Sequence, residues 1–395
     1  MTTAPVWSMV DLQNGYPFDS AEFDSAGPTP LVRIRDLSAS DFETFLPFDV
    51  PDEQAILPGD LVVGMDGDFT VRIWDRPRAA LNQRLCRLRV KNGVADLRFV
   101  AYALPQQLER IHATQFATTV KHLSSREILG CRLPAKSLPE QSRIANFLDE
   151  RVSRIDRIIA ARRKQATAVV EEYEAARASA VLSSEWPERR LSHVARMGTG
   201  HTPSRSNVDY WRDCTIPWLT TGDVHRFRKD EIDVLTDTTL QISELGLKNS
   251  AAILHPAGTV ALSRTASAGF SIVMGRDMAT SQDFATWTCR DGLLPEFLLH
   301  VLRARRSFLL GYLSMGTTHK TIYFPDLMDL TVGLPPLADQ RSAVADVSLY
   351  GESRTQVLAA LEKQVALLAE YKTSLISAVV TGELDVTTAG SGIPV

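Results

Sequence analysis

The feature that most limits what this chain can fold into is a direct repeat about half its own length. Ala117-Thr118-Thr119-Val120-Lys121 stands against Gly316-Thr317-Thr318-His319-Lys320, with Thr118 and Thr317, and Lys121 and Lys320, each 199 residues apart. The same spacing relates Leu138-Pro139-Glu140-Gln141 to Leu337-Ala338-Asp339-Gln340, Asn82-Gln83 to Ser281-Gln282, and Gly59 to Gly258. Nearer the start, Pro30 and Asp36 match Pro217 and Asp223 at a spacing of 187, so the second copy carries about twelve extra residues in between. Any one of these matches arises freely by chance, whereas several at one spacing mark a duplicated unit.

The most regular part of each copy is a long helix. Between Pro139 and about Ser183 there is no glycine and no second proline. Leu148, Val152, Ile155, Ile159, Ala166, Val169, Tyr173, Ala176 and Ala180 follow gaps of four and three, with Arg162 at one seam position. That is the heptad period of a narrow helix–helix seam. Pro139 suits a first helical turn, where its missing N–H costs nothing. The second copy has the same seam at Leu358, Leu361, Val365, Leu368, Leu375 and Val379, with Lys372 intruding, and Thr381-Gly382 supplies a stop. Gly351 is expected to break or bend this helix near its start. A helix of about 44 residues is about 66 Å long, and two of them are expected to pair antiparallel as a coiled coil that works as a ruler.

Ahead of each helix lies a β-rich segment. Leu31–Ile34, Asp60–Gly64, Thr259–Leu262 and Phe270–Val273 read as strands, and Pro58-Gly59-Asp60 as a turn. Leu97–Leu104 and Pro295–Leu302 read as helices lying on those sheets. The expected fold class is therefore α+β: two mixed α/β domains joined by two long antiparallel coiled-coil helices, with an internal pseudo-two-fold repeat. The expected boundaries are 1–136 and 185–334 for the domains, 137–184 and 335–386 for the helices, and 387–395 for a flexible tail. The domains are less alike than the helices, which suggests one job held constant and another diversified.

Composition excludes several function classes. No run of about eighteen apolar residues offers a membrane span, and the start has no basic stretch followed by an apolar run, so a cytoplasmic protein is expected. The four cysteines are scattered without a Cys-x-x-Cys pair and read as reduced thiols. The eight histidines show no metal-ligand spacing, so neither a metal nor a cofactor is expected. No glycine-rich cofactor turn and no Asn/Asp-Pro-Pro-aromatic motif of an amino-methyltransferase is present. Gly311 and Gly316 have the spacing of a phosphate-binding loop, but threonine stands where that loop needs lysine. Ser263, Ser267, Ser271 and Ser281 lie in no nucleophile elbow. The chain reads as a binding protein without a catalytic centre.

The net charge of −4 excludes a uniformly basic coat but leaves room for a basic face. Arg151, Arg154, Arg157, Arg162, Arg163 and Lys164 crowd the first helix, where a solvated face competes with phosphate contact. Arg303, Arg305 and Arg306 form a second cluster for which phosphate contact is expected. Lys121 and Lys320 flank the paired threonines, and Asn82, Gln83 and Gln282 occupy similar stretches. Such side chains suit base edges, Asn or Gln for adenine and Arg or Lys for guanine. The candidate DNA-binding set is Asn82, Gln83, Thr118, Lys121, Arg205, Arg264, Gln282, Thr317, Thr318 and Lys320. A structural loop role competes for each.

Taken in order, these residues resemble the specificity subunits of type I restriction-modification systems over nearly the whole chain. The resemblance rests on Trp7 to Phe23 (with Gly15-Tyr16-Pro17-Phe18), Gly198-Thr199-Gly200-His201-Thr202-Pro203-Ser204 and Tyr210-Trp211. It continues through Ile216-Pro217-Trp218-Leu219-Thr220-Thr221-Gly222-Asp223, Gly316-Thr317-Thr318 and Leu334-Pro335-Pro336-Leu337-Ala338-Asp339-Gln340. The ending Tyr371-Lys372 through Ala378-Val379-Val380-Thr381-Gly382-Glu383-Leu384-Asp385-Val386 is its most specific stretch. It implies two target-recognition domains, each reading half of a bipartite site in double-stranded DNA. It implies that the helices set the unread spacer and dock two methyltransferase subunits, motor-nuclease subunits joining later. Methylation would then flip an adenine in the methyltransferase subunit. The competing functions are a reader for a methylation-only or other phage-defence complex, and a coiled-coil adaptor that does not read DNA.

Overall fold

The structure is a computed structural model that describes residues 2–114, 121–312, 314–315 and 321–387. It forms two compact units, Met1–Ala161 with Gln364–Val395, and Arg162–Lys363. Each unit holds one β-rich domain together with part of each long helix.

In the first unit the strands Val10–Asn14, Leu85–Val90, Leu61–Gly64 and Val71–Ile73 make an antiparallel sheet in that spatial order. A second sheet has the order Phe45–Leu46, Thr29–Val32, Ala79–Leu81, Ala55–Ile56, with its central pair parallel. The helix Leu97–Thr114 turns Phe99, Val100, Ala103, Leu104 and Leu108 into a core shared with Leu61, Val63 and Leu88. Those positions fall on one helical face, the pattern of a helix that buries a single stripe.

The second unit repeats this plan. Ala195–Thr199, Phe284–Cys289, Val260–Ser263, Ser271–Met274 and Val234–Leu235 form one sheet, and Leu240–Ile242, Ile216–Leu219 and Ala279–Thr280 another. Its central parallel pair, Trp218–Leu219 on Ala279–Thr280, corresponds to Leu31–Val32 on Ala80–Leu81 in the first. The helix Pro295–Ala304 begins on its proline and buries Phe297, Leu298, Val301 and Leu302 against the sheet. Gly59 and Gly258 hold φ +93° and +82° in matching turns, a conformation that costs glycine nothing.

Three of the four expected strands form within a residue of their expected limits, and Leu31–Ile34 forms only as Thr29–Val32. There the chain turns into a 3₁₀ helix, Ile34–Leu37, because the buried Asp36 carboxylate accepts the Arg33 backbone N–H at 2.9 Å and pairs with Arg33 Nε at 3.2 Å. Asp223 and the Thr220 N–H do the same at 3.0 Å in the second unit. A short acidic side chain offers the backbone a local partner and diverts it from the strand.

The long helices are Leu138–Val181, of 44 residues, and Leu337–Thr381, of 45. Each carries in its first turn a buried glutamine that bridges to its domain. Gln141 accepts the Asp96 N–H and donates to the Lys136 carbonyl, both at 2.9 Å. Gln340 accepts the Leu294 N–H and donates to the Pro335 carbonyl, also both at 2.9 Å. In the first unit the early part of one helix lies with the late part of the other: Leu148 and Ile155 share a core with Leu375 and Val379, and Lys372 bonds Asp156 at 2.7 Å. In the second unit Tyr173 and Val181 share a core with Ala343 and Val347. Both are arrangements of an antiparallel pair. Lys372 intrudes in the seam because Asp156 awaits it.

Gly351 does not break the second helix, which runs through it without interruption. An added Cβ there would meet the Tyr173 ring at 3.6 Å, an ordinary contact. Packing here outweighs the low helix propensity of glycine, a cost of roughly 1 kcal/mol.

Candidate nucleic-acid interface

Both domains use one backbone frame to bring three distant stretches together. In the first, the strand Leu61–Gly64 runs out at Met65, whose N–H donates to the Arg84 carbonyl at 2.9 Å and whose carbonyl accepts from Leu123 at 2.7 Å. In the second, the Arg264 N–H donates to the Asp283 carbonyl and its carbonyl accepts from Ile322, both at 2.8 Å. A glycine closes each frame. A Cβ on Gly15 would lie 1.9 Å from the Asn82 carbonyl oxygen, and one on Gly200 would lie 1.8 Å from that of Thr280. No other residue fits so close an approach.

The side chains on this frame differ. In the first unit Asn82 is half-buried and Gln83 and Arg84 are exposed in the turn after it. The Arg84 Nε lies 3.4 Å from one oxygen of Asp66, and the other oxygen of Asp66 lies 2.6 Å from His122 Nδ1. Lys121, beside His122, donates to the His112 carbonyl at 2.5 Å. It thereby ties its loop to the C-terminal end of the helix Leu97–Thr114, where carbonyls lack helical partners.

In the second unit Gln282 is exposed and its Oε1 accepts from Thr202 at 2.8 Å. Arg264 donates to the Gln282 carbonyl at 3.1 Å and lies over the Phe324 ring at 4.5 Å. The place of Arg84 is taken by Asp283, which accepts from Thr265 at 2.5 Å and from Ser281 at 3.0 Å. Arg205, on the loop of Thr202, is exposed and stands 5.2 Å over Trp211. The structure thus brings Arg264 and Gln282 together, with Arg205 joined through its loop, and places Asn82, Gln83 and Lys121 around the matching frame. Thr118, Thr317, Thr318 and Lys320 lie outside the described residues.

The second basic cluster is not a phosphate-contacting surface. Arg303 is fully buried, with Asp233 and the Ile232 carbonyl on its guanidinium and Asp230 at 3.4 Å from its Nε. Arg305 donates to the Thr331 carbonyl at 2.6 Å, and Arg306 bonds Asp230 at 2.6 Å and the Gly269 carbonyl at 2.9 Å. These arginines hold the domain together. On the first helix Arg154, Arg157 and Arg163 are exposed, as a solvated face requires.

The four cysteines are unpaired, and burial pushes the thiols of Cys86 and Cys289 up to about 12. Among the described residues no cluster of His, Cys, Asp and Glu is arranged to hold a metal ion, and no helix is long and apolar enough to cross a membrane.

Residues 6–168 and 183–365 each match the type I restriction modification DNA specificity domain, so the repeat seen in the sequence is two copies of one family domain. The chain belongs to this family.

Relatives of this specificity family include the type I restriction enzyme EcoBI specificity subunit of Escherichia coli, 40% identical over 150 residues, 38% of this chain and 32% of that protein. The MjaIX specificity subunit of Methanocaldococcus jannaschii is 22% identical over 172 residues, 43% of this chain and 39% of that protein. The aligned part thus spans between about a third and two fifths of these relatives' lengths. A solved chain described under complex assembly and conformational transition of the type I R-M system shares the fold, with a TM-score of 0.68 over 86% of this chain and 87% of that one at 19% identity. The names of the relatives agree with the reading of a chain without its own catalytic centre. Reasoning from sequence passed over Arg84 and Asp66. Arg84 adjoins Asn82-Gln83, and its counterpart at the repeat spacing is Asp283, a reversal of charge within a shared frame that was there to be read.

Proposed function

We propose that this chain is the DNA-reading subunit of a type I restriction-modification complex, each domain recognising one half of a bipartite site in double-stranded DNA. The observation that carries this reading is the repeated frame with divergent side chains. The hydrogen bonds around Met65 and Arg264 are kept, while Asp66, Arg84 and His122 in one domain give way to Thr265, Asp283 and Thr321 in the other. Two readers of different half-sites need one scaffold and two sets of polar groups, because base identity is carried by donors and acceptors on base edges. In this reading Asn82, Gln83, Lys121, Arg205, Arg264 and Gln282, with Thr118, Thr317, Thr318 and Lys320, supply the contacts. The paired helices set the unread spacer and dock two methyltransferase subunits, which motor-nuclease subunits join. Modification itself takes place in the methyltransferase subunit on a flipped adenine.

The test is methylome sequencing of host DNA with the gene intact and deleted. A bipartite adenine-methylated motif that disappears on deletion is the expected result. A motif that persists, or none in either strain, counts against active DNA reading in a modification complex.

A further inference from the structure

We propose that Arg84 reads a guanine in the half-site recognised by the first domain, with Asp66 as its positioning residue. This rests on the DNA-reading function proposed above and assigns one of its contacts. Arg84 sits in the turn between the strands Ala79–Leu81 and Leu85–Val90. Its backbone is held on both sides: the carbonyl accepts from Met65 at 2.9 Å, and the N–H donates to the Asn82 side chain at 3.4 Å. The side chain is 56% exposed. Its Nε faces Asp66, and Asp66 is itself fixed from the other side by His122. Among the described residues the two terminal nitrogens of Arg84 have no hydrogen-bond partner, so the end of the guanidinium fork is presented outward.

Three physical consequences follow from that geometry. A guanidinium with a carboxylate 3.4 Å from its Nε is biased toward one set of rotamers, which reduces the ordering that costs a free arginine about 2 kcal/mol, and it keeps its two terminal donors. Asp66 beside it offsets part of its charge, which weakens the pull toward a phosphate but leaves the two terminal donors in place. Guanine is the base whose major-groove edge carries two adjacent acceptors, O6 and N7, and a two-donor fork matches it. The second domain has no cation at this place. Asp283 stands there instead, occupied by Thr265 and Ser281. Guanine reading by this device therefore belongs to one half of the site only.

The experiment is selection of the full-length chain on a library of random duplexes, wild type beside Arg84→Ala and Asp66→Asn, with melting curves to establish that each variant folds. Arg84→Ala is expected to lower the preference for guanine at one position of one half by roughly 5- to 150-fold, leaving the other half and non-specific affinity unchanged. Asp66→Asn keeps the shape and exposes the charge. It is expected to weaken the same preference and to steepen the salt dependence by about one phosphate equivalent. An Arg84→Ala variant that keeps every guanine preference, or binds all sequences more weakly with a salt slope reduced by about one, overturns the assignment. An Asp66→Asn variant with unchanged preference and slope removes Asp66 from it. If the wild type selects no motif at all, the DNA-reading function fails, and the assignment with it.

Discussion

Asp230 shows what a single side chain does for the second domain. Its backbone is left-handed, with φ +57°, and its carboxylate lies 2.8 Å from Arg177, 2.6 Å from Arg306 and 3.4 Å from Arg303. Burial works against its charge, but Arg303, Arg306 and Arg177 outweigh it and hold the carboxyl below its ordinary range. Asp230→Asn leaves these cations around a neutral group, and removing one partner of a buried pair costs roughly 3–5 kcal/mol. His300 lies against the same cluster, and burial takes it down to about 4 although Asp233 pulls the other way. The unfolded chain protonates this histidine below about 6.5, whereas the folded one stays neutral to about 4. Protons then favour the unfolded state across that window, so stability falls as the pH drops through it. Asp230 adds its own loss further down, below the unfolded carboxyl value of about 3.9. Urea unfolding at pH 7 and 4.5 is expected to differ by about 2–3 kcal/mol from His300 alone, a difference that His300→Leu should abolish. Equal pH dependence in the two proteins would sink the assignment.

At the scale of elements, the long helices were legible because their physics is local. A heptad seam runs along both, Pro139 sits in the first turn of one, and Gly382, just past the end of the other, takes a left-handed φ of +82°. What was misread was Gly351: one glycine costs a helix only roughly 1 kcal/mol, too little to break a helix held by tertiary packing along its length. Since an added methyl would meet the Tyr173 ring only at ordinary contact distance, Gly351→Ala is expected to stabilise the protein by about 0.5–1 kcal/mol through helix propensity. That corresponds to a rise of a few degrees in melting temperature. A lower melting temperature would mean that the tyrosine packs too closely for a methyl. The strand expected at Leu31–Ile34 erred for another reason: the apolar pattern was sound, but Asp36 captured the backbone two residues early.

For the whole molecule, a formal charge of −4 means that any DNA affinity must come from where the cations stand. Several basic residues are consumed inside the fold, Arg303 from the second basic cluster and Arg177 among them. If the proposed DNA reading holds, the exposed cations are the ones available to phosphates. A protein making six to ten phosphate contacts loses roughly 10³–10⁵ in affinity between 50 and 200 mM salt. Titrations of a target duplex across that range are expected to give a linear fall of log affinity with log salt. A flat response would favour the adaptor function over DNA reading.

The duplication, the two long helices and the family are legible without coordinates, since each is written in spacing along the chain. Period, gap and order survive without coordinates. Which polar residues are free to act is settled by the folded arrangement alone. Arg303 and Arg84 look alike as letters, yet one is fully buried on carboxylates and the other is offered outward by Asp66. Lys121 turns from a base-edge candidate into a residue that also anchors a helix end. The difference is one of range: helical periodicity is a property of neighbours, whereas the fate of a charge depends on groups that the chain brings back from tens or hundreds of residues away.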